Sequence, residues 1–179
     1  MKLFKKAVLG AVLAVLAVGF AGAAATTTQP VSMQVNAICV LAVTGNPSTL
    51  TVSAPASGGQ TPANPSSNST YAQYTSTVPA AQSRKLTAAW GASDAAPAGC
   101  SLKLTATPAG GTNQGTSAGQ ITLSATAQDI VTTIKSCATG TAASNGAQLT
   151  YLLSVDTITS LIASESKAAT VTLTLTDAA

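Results

Sequence analysis

The sequence predicts an all-β protein: an immunoglobulin-like antiparallel β-sandwich that follows an N-terminal signal peptide. Three observations predict it. Apolar and polar residues alternate along most of the chain, turn-forming Gly, Pro and Asn residues separate the alternating runs, and no long helical pattern occurs. A parallel β-helix is the other all-β option, but the chain has no repeat of fixed period.

The first 25 residues have the three parts of a secretory signal peptide. Lys2, Lys5 and Lys6 precede an uncharged apolar run over residues 7–20, and the small residues 21–25 follow it. A membrane-spanning helix needs ~20 apolar residues, so this run is too short to be an anchor. We therefore expect cleavage after Ala23 or Ala25 and a protein that is secreted, extracellular or on the cell surface, with no membrane span after cleavage.

The remaining residues, 26–179, have the size of one domain and no net charge. Five basic residues balance five acidic ones: Arg84, Lys85, Lys103, Lys135 and Lys167 against Asp94, Asp129, Asp156, Glu165 and Asp177. Charged residues make up 7% of the whole chain, against ~25% in an ordinary soluble domain. So little charge repulsion favours a protein that packs into a matrix or filament outside the cell. The chain also lacks the clustered basic surface that binding to nucleic acid requires.

Seven runs of period-2 alternation predict the strands of a single β-sandwich domain. They cover residues 31–43, 48–55, 84–91, 101–108, 120–131, 149–158 and 170–179. Residues 70–78 are a weaker eighth candidate, because Tyr71 and Tyr74 lie on opposite parities. Residues 58–69 are rich in Gly, Pro, Ser and Asn and predict a long loop, while the apolar spacing within residues 156–168 predicts a single helical turn.

Two of these runs predict assembly segments. The first is longer than an ordinary strand of five or six residues, so residues 26–35, with Val31, Met33 and Val35 on one parity, would form an N-terminal extension or donor strand. In the last run, Val171, Leu173 and Leu175 alternate with threonine, and a strand there at a sheet edge would be a template for another chain. The alternative is a closed sandwich in which both runs pair within their own domain.

The three cysteines predict one disulfide. Cys100 begins a predicted strand and Cys137 ends one, and cysteines at neighbouring strand ends can reach the ~5.5 Å Cα spacing of a disulfide. We predict a Cys100–Cys137 pair with Cys39 buried and free, and a pair between Cys39 and either of the others stays open.

The sequence lacks the residues and motifs of the common catalytic and cofactor sites. We therefore predict that the protein is not an enzyme and binds no cofactor. The chain has no histidine, which excludes Ser-His-Asp and Cys-His catalysis and the commonest zinc sites. No phosphate-binding loop or calcium loop is present. We expect Trp90 in the core. If Trp90 clustered with Tyr71 and Tyr74 at the surface instead, the alternative function would be an adhesin or carbohydrate-binding module that uses loops 58–69 and 110–119.

These features together resemble secreted bacterial pilin-like and spore-coat-like β-sandwich surface proteins. The shared features are a signal peptide, an alternating segment that runs into residues 37–43, a candidate internal disulfide and an alternating last strand. The resemblance implies subunits that polymerise with themselves or with other surface proteins, no cofactor, and a periplasmic chaperone as a partner. The disulfide typical of the fimbrial proteins would require Cys39 in place of the Cys100–Cys137 pair.

Overall fold

A computed structural model describes residues 26–178 of the chain, so the predicted signal peptide at residues 1–25 lies outside the described residues. The chain divides into two units between Gln34 and Val35. The described part of the first unit, residues 26–34, contains no helix or strand and is exposed. None of the helices in the described part of the chain is long and apolar enough to cross a bilayer.

The second unit consists almost entirely of β-strands. In chain order they are β1 (Ile38–Thr44), β2 (Ser66–Thr77), β3 (Arg84–Trp90), β4 (Cys100–Thr107), β5 (Thr116–Ser117), β6 (Gln120–Thr122), β7 (Gln128–Ile134), β8 (Cys137–Ala138), β9 (Ala147–Val155) and β10 (Val171–Asp177). A 3₁₀ turn at Ile158–Ser160 lies between β9 and β10. It confirms the single helical turn predicted there.

The strands form two antiparallel sheets, as predicted. Among the described residues, the large sheet has the order β1-β2-β9-β4-β6, with β8 also pairing with β2, and the small sheet has the order β10-β3-β7-β5. Alternating apolar residues face the space between the sheets, where Leu86, Leu104, Ile130 and Leu149 are fully buried. The all-β, sandwich-like fold is therefore confirmed, while the immunoglobulin-like arrangement stays a prediction.

Residues 123 and 124 close one side of the sandwich. The N–H of Leu123 donates to the carbonyl oxygen of Leu102 in the large sheet at 2.9 Å, and the N–H of Trp90 in the small sheet donates to the carbonyl oxygen of Ser124 at 3.0 Å. Two consecutive residues thus join both sheets through the backbone. The opposite side, where β1 and β10 lie, has no such connection among the described residues.

Three of the predicted strands differ from the strands in the structure. The weak candidate at residues 70–78 belongs to β2, which has 12 residues and begins at Ser66, within the predicted loop. The run over residues 120–131 is divided between β6 and β7, which lie in different sheets. Residues 48–55 form no strand at all, although they alternate as clearly as those that do.

Candidate functional site: an open sandwich side and its cavity

The edge strands β1 and β10 lie on the same side of the sandwich, which we call the open side. Within residues 26–178, β1 pairs only with β2, and β10 pairs only with β3. The Sγ atom of Cys39 on β1 is 3.5 Å from the carbonyl oxygen of Leu175 on β10. Away from this contact, Val43 and Val171 line a common cavity. One edge of each sheet therefore borders the open side.

The outer edge of β10 carries backbone groups without a partner strand. Successive residues of a strand direct their N–H and C=O groups to opposite sides. The carbonyl oxygen of Thr174 accepts from Thr87 Oγ1 of β3 at 3.4 Å, so its backbone faces β3. The carbonyl of Leu175 faces the other way, toward Cys39. By this alternation, the outward backbone groups of Val171, Leu173 and Leu175 form the outer edge of β10. Among the described residues, those of Val171 and Leu173 have no partner and form its free part, whereas the carbonyl oxygen of Leu175 accepts from Cys39 Sγ.

The same three residues direct their side chains into the sandwich. Leu175 is buried, while Val171 and Leu173 are half-buried and pack against the core. The threonines between them are exposed. The side chains therefore anchor β10 to the core while its backbone edge stays available, which is the arrangement that makes an edge strand a template for pairing.

A cavity of about 1120 Å³ extends along the open side between the sheets. Residues 45–52 form one wall and residues 161–170 form the other. The large sheet contributes Tyr151 and Leu153, and the small sheet contributes Trp90. The inner part of the cavity is therefore lined by residues next to the core, and most of its rim consists of segments outside the strands.

Two carboxylates hold the wall formed by residues 161–170 in place. Asp94 Oδ2 accepts from the N–H of Thr170 at 2.8 Å and from the N–H of Gly91 at 2.9 Å. Glu165 Oε2 accepts from the N–H of Ala98 at 2.8 Å. The Ala98 N–H is the main cause that holds the pKa of Glu165 below its ordinary value, and Lys167, 3.3 Å from Oε1, adds to the effect. Both acids are occupied with backbone groups, which is a structural role.

The predicted N-terminal assembly residues are strongly exposed. Val31 is 72% exposed, Met33 89% and Val35 85%. Their burial against a second surface would remove this apolar area from water, which is favourable. No strand includes residues 26–37 in the described structure.

The predicted Cys100–Cys137 disulfide is wrong, and all three cysteines are free. Cys100 is in register with Val155, the last residue of β9. Cys137 is in register with Ser76 of β2. On β2, Ser76 lies past Ala72, which pairs with the first residue of β9, Ala147. The two thiols therefore lie at opposite ends of the large sheet.

Cys39 is free as predicted, but it is exposed rather than buried. It pairs with Ser76 from the side of β2 opposite to Cys137. Two strand spacings, ~9.5 Å, separate Cys39 and Cys137, which exceeds the ~7 Å limit for a disulfide. The register thus excludes this alternative pair as well.

The aromatic residues do not form a surface cluster. Tyr74 is buried, and its hydroxyl donates to the carbonyl oxygen of Gln114 at 2.5 Å. Tyr71 lies on the opposite face of β2, where its hydroxyl is 3.0 Å from Gln148 Nε2. Trp90 is half-buried and packs against the core, as expected, although it also lines the cavity. The burial of Tyr74 counts against a sugar-stacking platform.

Among residues 26–178, no three His, Cys, Asp or Glu side chains come together in a way that would hold a metal ion.

Comparisons with protein families, with curated proteins and with solved structures find no match to this chain. Within residues 26–178, the open side combines two strand edges that pair on one side only with an adjoining cavity, and it is the candidate site. The sequence predicted the residues of β10 at this site but not the two irregular walls. The only sequence signal for residues 45–52 was an alternation that predicted a strand.

Proposed function

We propose that the chain is a secreted, non-enzymatic structural protein of the cell exterior that assembles with copies of itself by strand donation. In this assembly, residues 31–35 of one copy lie along the free edge of β10 in the next copy. Two observations together carry the proposal. Among the described residues, β1 and β10 each pair along one edge only, and the exposed residues Val31, Met33 and Val35 alternate as the residues of a strand do.

The two surfaces complement each other chemically. The free edge of β10 offers backbone groups at every second residue, which an extended segment would pair with its own. Val31, Met33 and Val35 would then share one face and enter the cavity, where Trp90 and Leu153 of the two sheets offer apolar surface. Burying a side chain of this size contributes ~1.5–3 kcal/mol, so three of them favour association substantially. Ser32 would remain on the opposite, solvent-exposed face.

Composition supports a location outside the cell and a self-associating surface. The signal peptide proposed at residues 1–25 directs secretion. The remaining chain has equal numbers of acidic and basic residues and few of either, so copies do not repel one another. The resemblance to pilin-like proteins implies a periplasmic chaperone as a further partner.

A second candidate function is a binding module. The observation that favours it is the cavity itself, whose volume of about 1120 Å³ and lining by Trp90 and Tyr151 suit a small apolar ligand. We rank it second because it leaves the free edge of β10 and the exposed apolar residues of the N-terminal segment without a role.

Two matched aspartate variants of the protein beginning at Thr26 test strand donation. Met33→Asp would place a charge in the cavity, and Ser32→Asp would place the same charge on the solvent-exposed face. We expect filaments or ladders of oligomers from the unchanged protein and from Ser32→Asp, and monomers from Met33→Asp. Size exclusion and negative-stain electron microscopy over a concentration series measure the outcome.

Because residue 33 is 89% exposed, its substitution leaves the fold intact, and thermal unfolding of both variants serves as the control. Equal assembly of the two variants would contradict the proposal. A monomer under all conditions, including for the unchanged protein, would contradict it too and would make a ligand screen of the cavity the next step.

A further inference from the structure

Residues 48–52 belong to the cavity wall formed by residues 45–52, and residues 48–53 lie in no strand of either sheet. Leu50 and Val52 are half-buried and line the cavity, while Thr49 and Thr51 are exposed. Leu50 packs against the core. This is the pattern of a strand that has one face on a core, yet no strand ladder of the described residues includes this segment.

The local structure explains why the segment lacks a partner. The ladder between β1 and β2 ends at Thr44 and Tyr71, and the next residue, Gly45, has a left-handed φ of 74°. Beyond it, the chain is held by side chains: the N–H of Ser48 donates to Ser67 Oγ at 3.0 Å, and Ser69 Oγ donates to the carbonyl oxygen of Asn46 at 2.7 Å.

The neighbouring part of β2 is irregular, which prevents it from pairing with this segment. The register of β2 on β9 shifts between Ser67 and Thr70. Because a bulge turns backbone groups out of the ladder direction, β2 cannot extend its pairing with the β1 side of the chain at this point. Among the described residues, no hydrogen bond engages the backbone of residues 49–52.

We infer that residues 48–53 are the second pairing edge of the open side and become a strand when the donated segment arrives. This inference rests on the proposed function. An inserted strand directs half of its backbone groups to each side. β10 satisfies one side. The groups on the other side would lose water as the cavity closes, and a buried backbone group without a partner is strongly unfavourable.

Residues 48–53 are placed to supply those partners. Residues 48–52 border the same cavity as Val171 of β10. Five extended residues span ~17 Å, so residues 48–52 match residues 31–35 in length. The threonine and valine residues of the segment also favour strand geometry. The donated segment would then join the two sheets across the open side, as residues 123 and 124 join them on the closed side.

Backbone hydrogen exchange of the assembled and the unassembled protein tests the inference. We expect exchange of residues 48–53 and of residues 171–175 to slow by about tenfold or more on assembly. Slower exchange at residues 171–175 with no change at residues 48–53 would overturn the inference and leave the proposed function standing. No change at either segment in an assembled sample would overturn both.

Proline variants provide a second readout. Thr51→Pro and Val52→Pro each remove one N–H, and the N–H groups of consecutive residues face opposite sides. We expect one of the two to lose assembly relative to its alanine control, Thr51→Ala or Val52→Ala, with the thermal stability of the monomer unchanged. If both proline variants assemble like their alanine controls, the second edge does not exist.

Discussion

The Sγ atom of Cys39 lies 3.5 Å from the backbone carbonyl oxygen of Leu175, and this contact joins the edge strands of the two sheets. Farther from this contact, Val43 of β1 and Val171 of β10 both line the cavity. The two edges therefore meet at one end and enclose a cavity at the other. Cys39 is an exposed native thiol at the end where they meet, which makes it a reporter for whatever occupies the open side.

We expect Cys39 to react with iodoacetamide faster than Cys100 and Cys137. Cys39 is exposed, whereas burial raises the pKa of the other two thiols and so reduces their thiolate fraction at neutral pH. Peptide mass spectrometry over a time course measures the order of labelling, with Cys39→Ser as the control. Labelling of Cys100 or Cys137 before Cys39 would contradict the structure. A Cys100–Cys137 cross-link in peptides prepared without reductant would contradict it as well.

Gly45 is expected to tolerate no side chain. A Cβ atom there would overlap the carbonyl oxygen of Ser69, in addition to the strain of a left-handed φ. Gly59 provides a matched control, because its φ of 84° is also left-handed but nothing lies within 4 Å of an added Cβ atom. We expect Gly59→Ala to lower the free energy of unfolding by ~1–2 kcal/mol, the cost of the left-handed conformation, and Gly45→Ala by clearly more.

Urea denaturation of the two glycine variants measures the difference. Equal losses would mean that the chain after β1 moves away from Ser69 without cost. In that case, the turn at Gly45 would not fix the cavity wall formed by residues 45–52.

Much of the sheet structure was predictable from alternation. The strands β3, β4, β9 and β10 each direct an apolar parity toward the core, so their sequences carry the burial pattern directly. β2 was not predictable as the longest strand, because its buried positions include Ser67, Thr70 and Ser76, and a register shift moves the buried parity partway along. Alternation of apolar and polar residues indicates which face of a strand is buried. Where the buried residues are themselves polar, the alternation disappears.

The open side could be predicted only in part. Alternation at residues 48–55 predicted a strand because Leu50 packs against the core and Val52 is half-buried, but it contains no information on whether a neighbouring strand is present. The disulfide prediction failed for a similar reason. Cys100 and Cys137 both stand at strand ends, but the sequence does not indicate that these ends lie at opposite ends of the sheet.

Glu165 is expected to stabilise the cavity wall in a pH-dependent way. The Ala98 N–H and then Lys167 lower its pKa in the folded protein, so its contribution is present above the unfolded-state pKa and is lost as pH falls through the folded-state pKa. We expect Glu165→Gln to lower the Tm at about pH 7 and to match the unchanged protein near pH ~2, well below the ordinary glutamate pKa of ~4.3.

Lys167→Met is the matched variant for this prediction, since it removes the ion pair and keeps the hydrogen bond from Ala98. It should lower the Tm at neutral pH by less than Glu165→Gln does. A Tm difference for Glu165→Gln that stays the same from pH 7 to pH 2 would show that the loss does not depend on the carboxylate charge.

The most direct test of strand donation uses a synthetic peptide of residues 26–37 and the protein that begins at Asn36. Trp90 is the only tryptophan in the chain and lines the cavity, so its emission reports on filling of the open side. We predict that the peptide raises the Tm and shifts Trp90 emission to shorter wavelength in a saturable manner, while the same peptide with Met33→Asp does neither. Identical titrations with the two peptides, or no change with either, would contradict the claim that this segment occupies the open side.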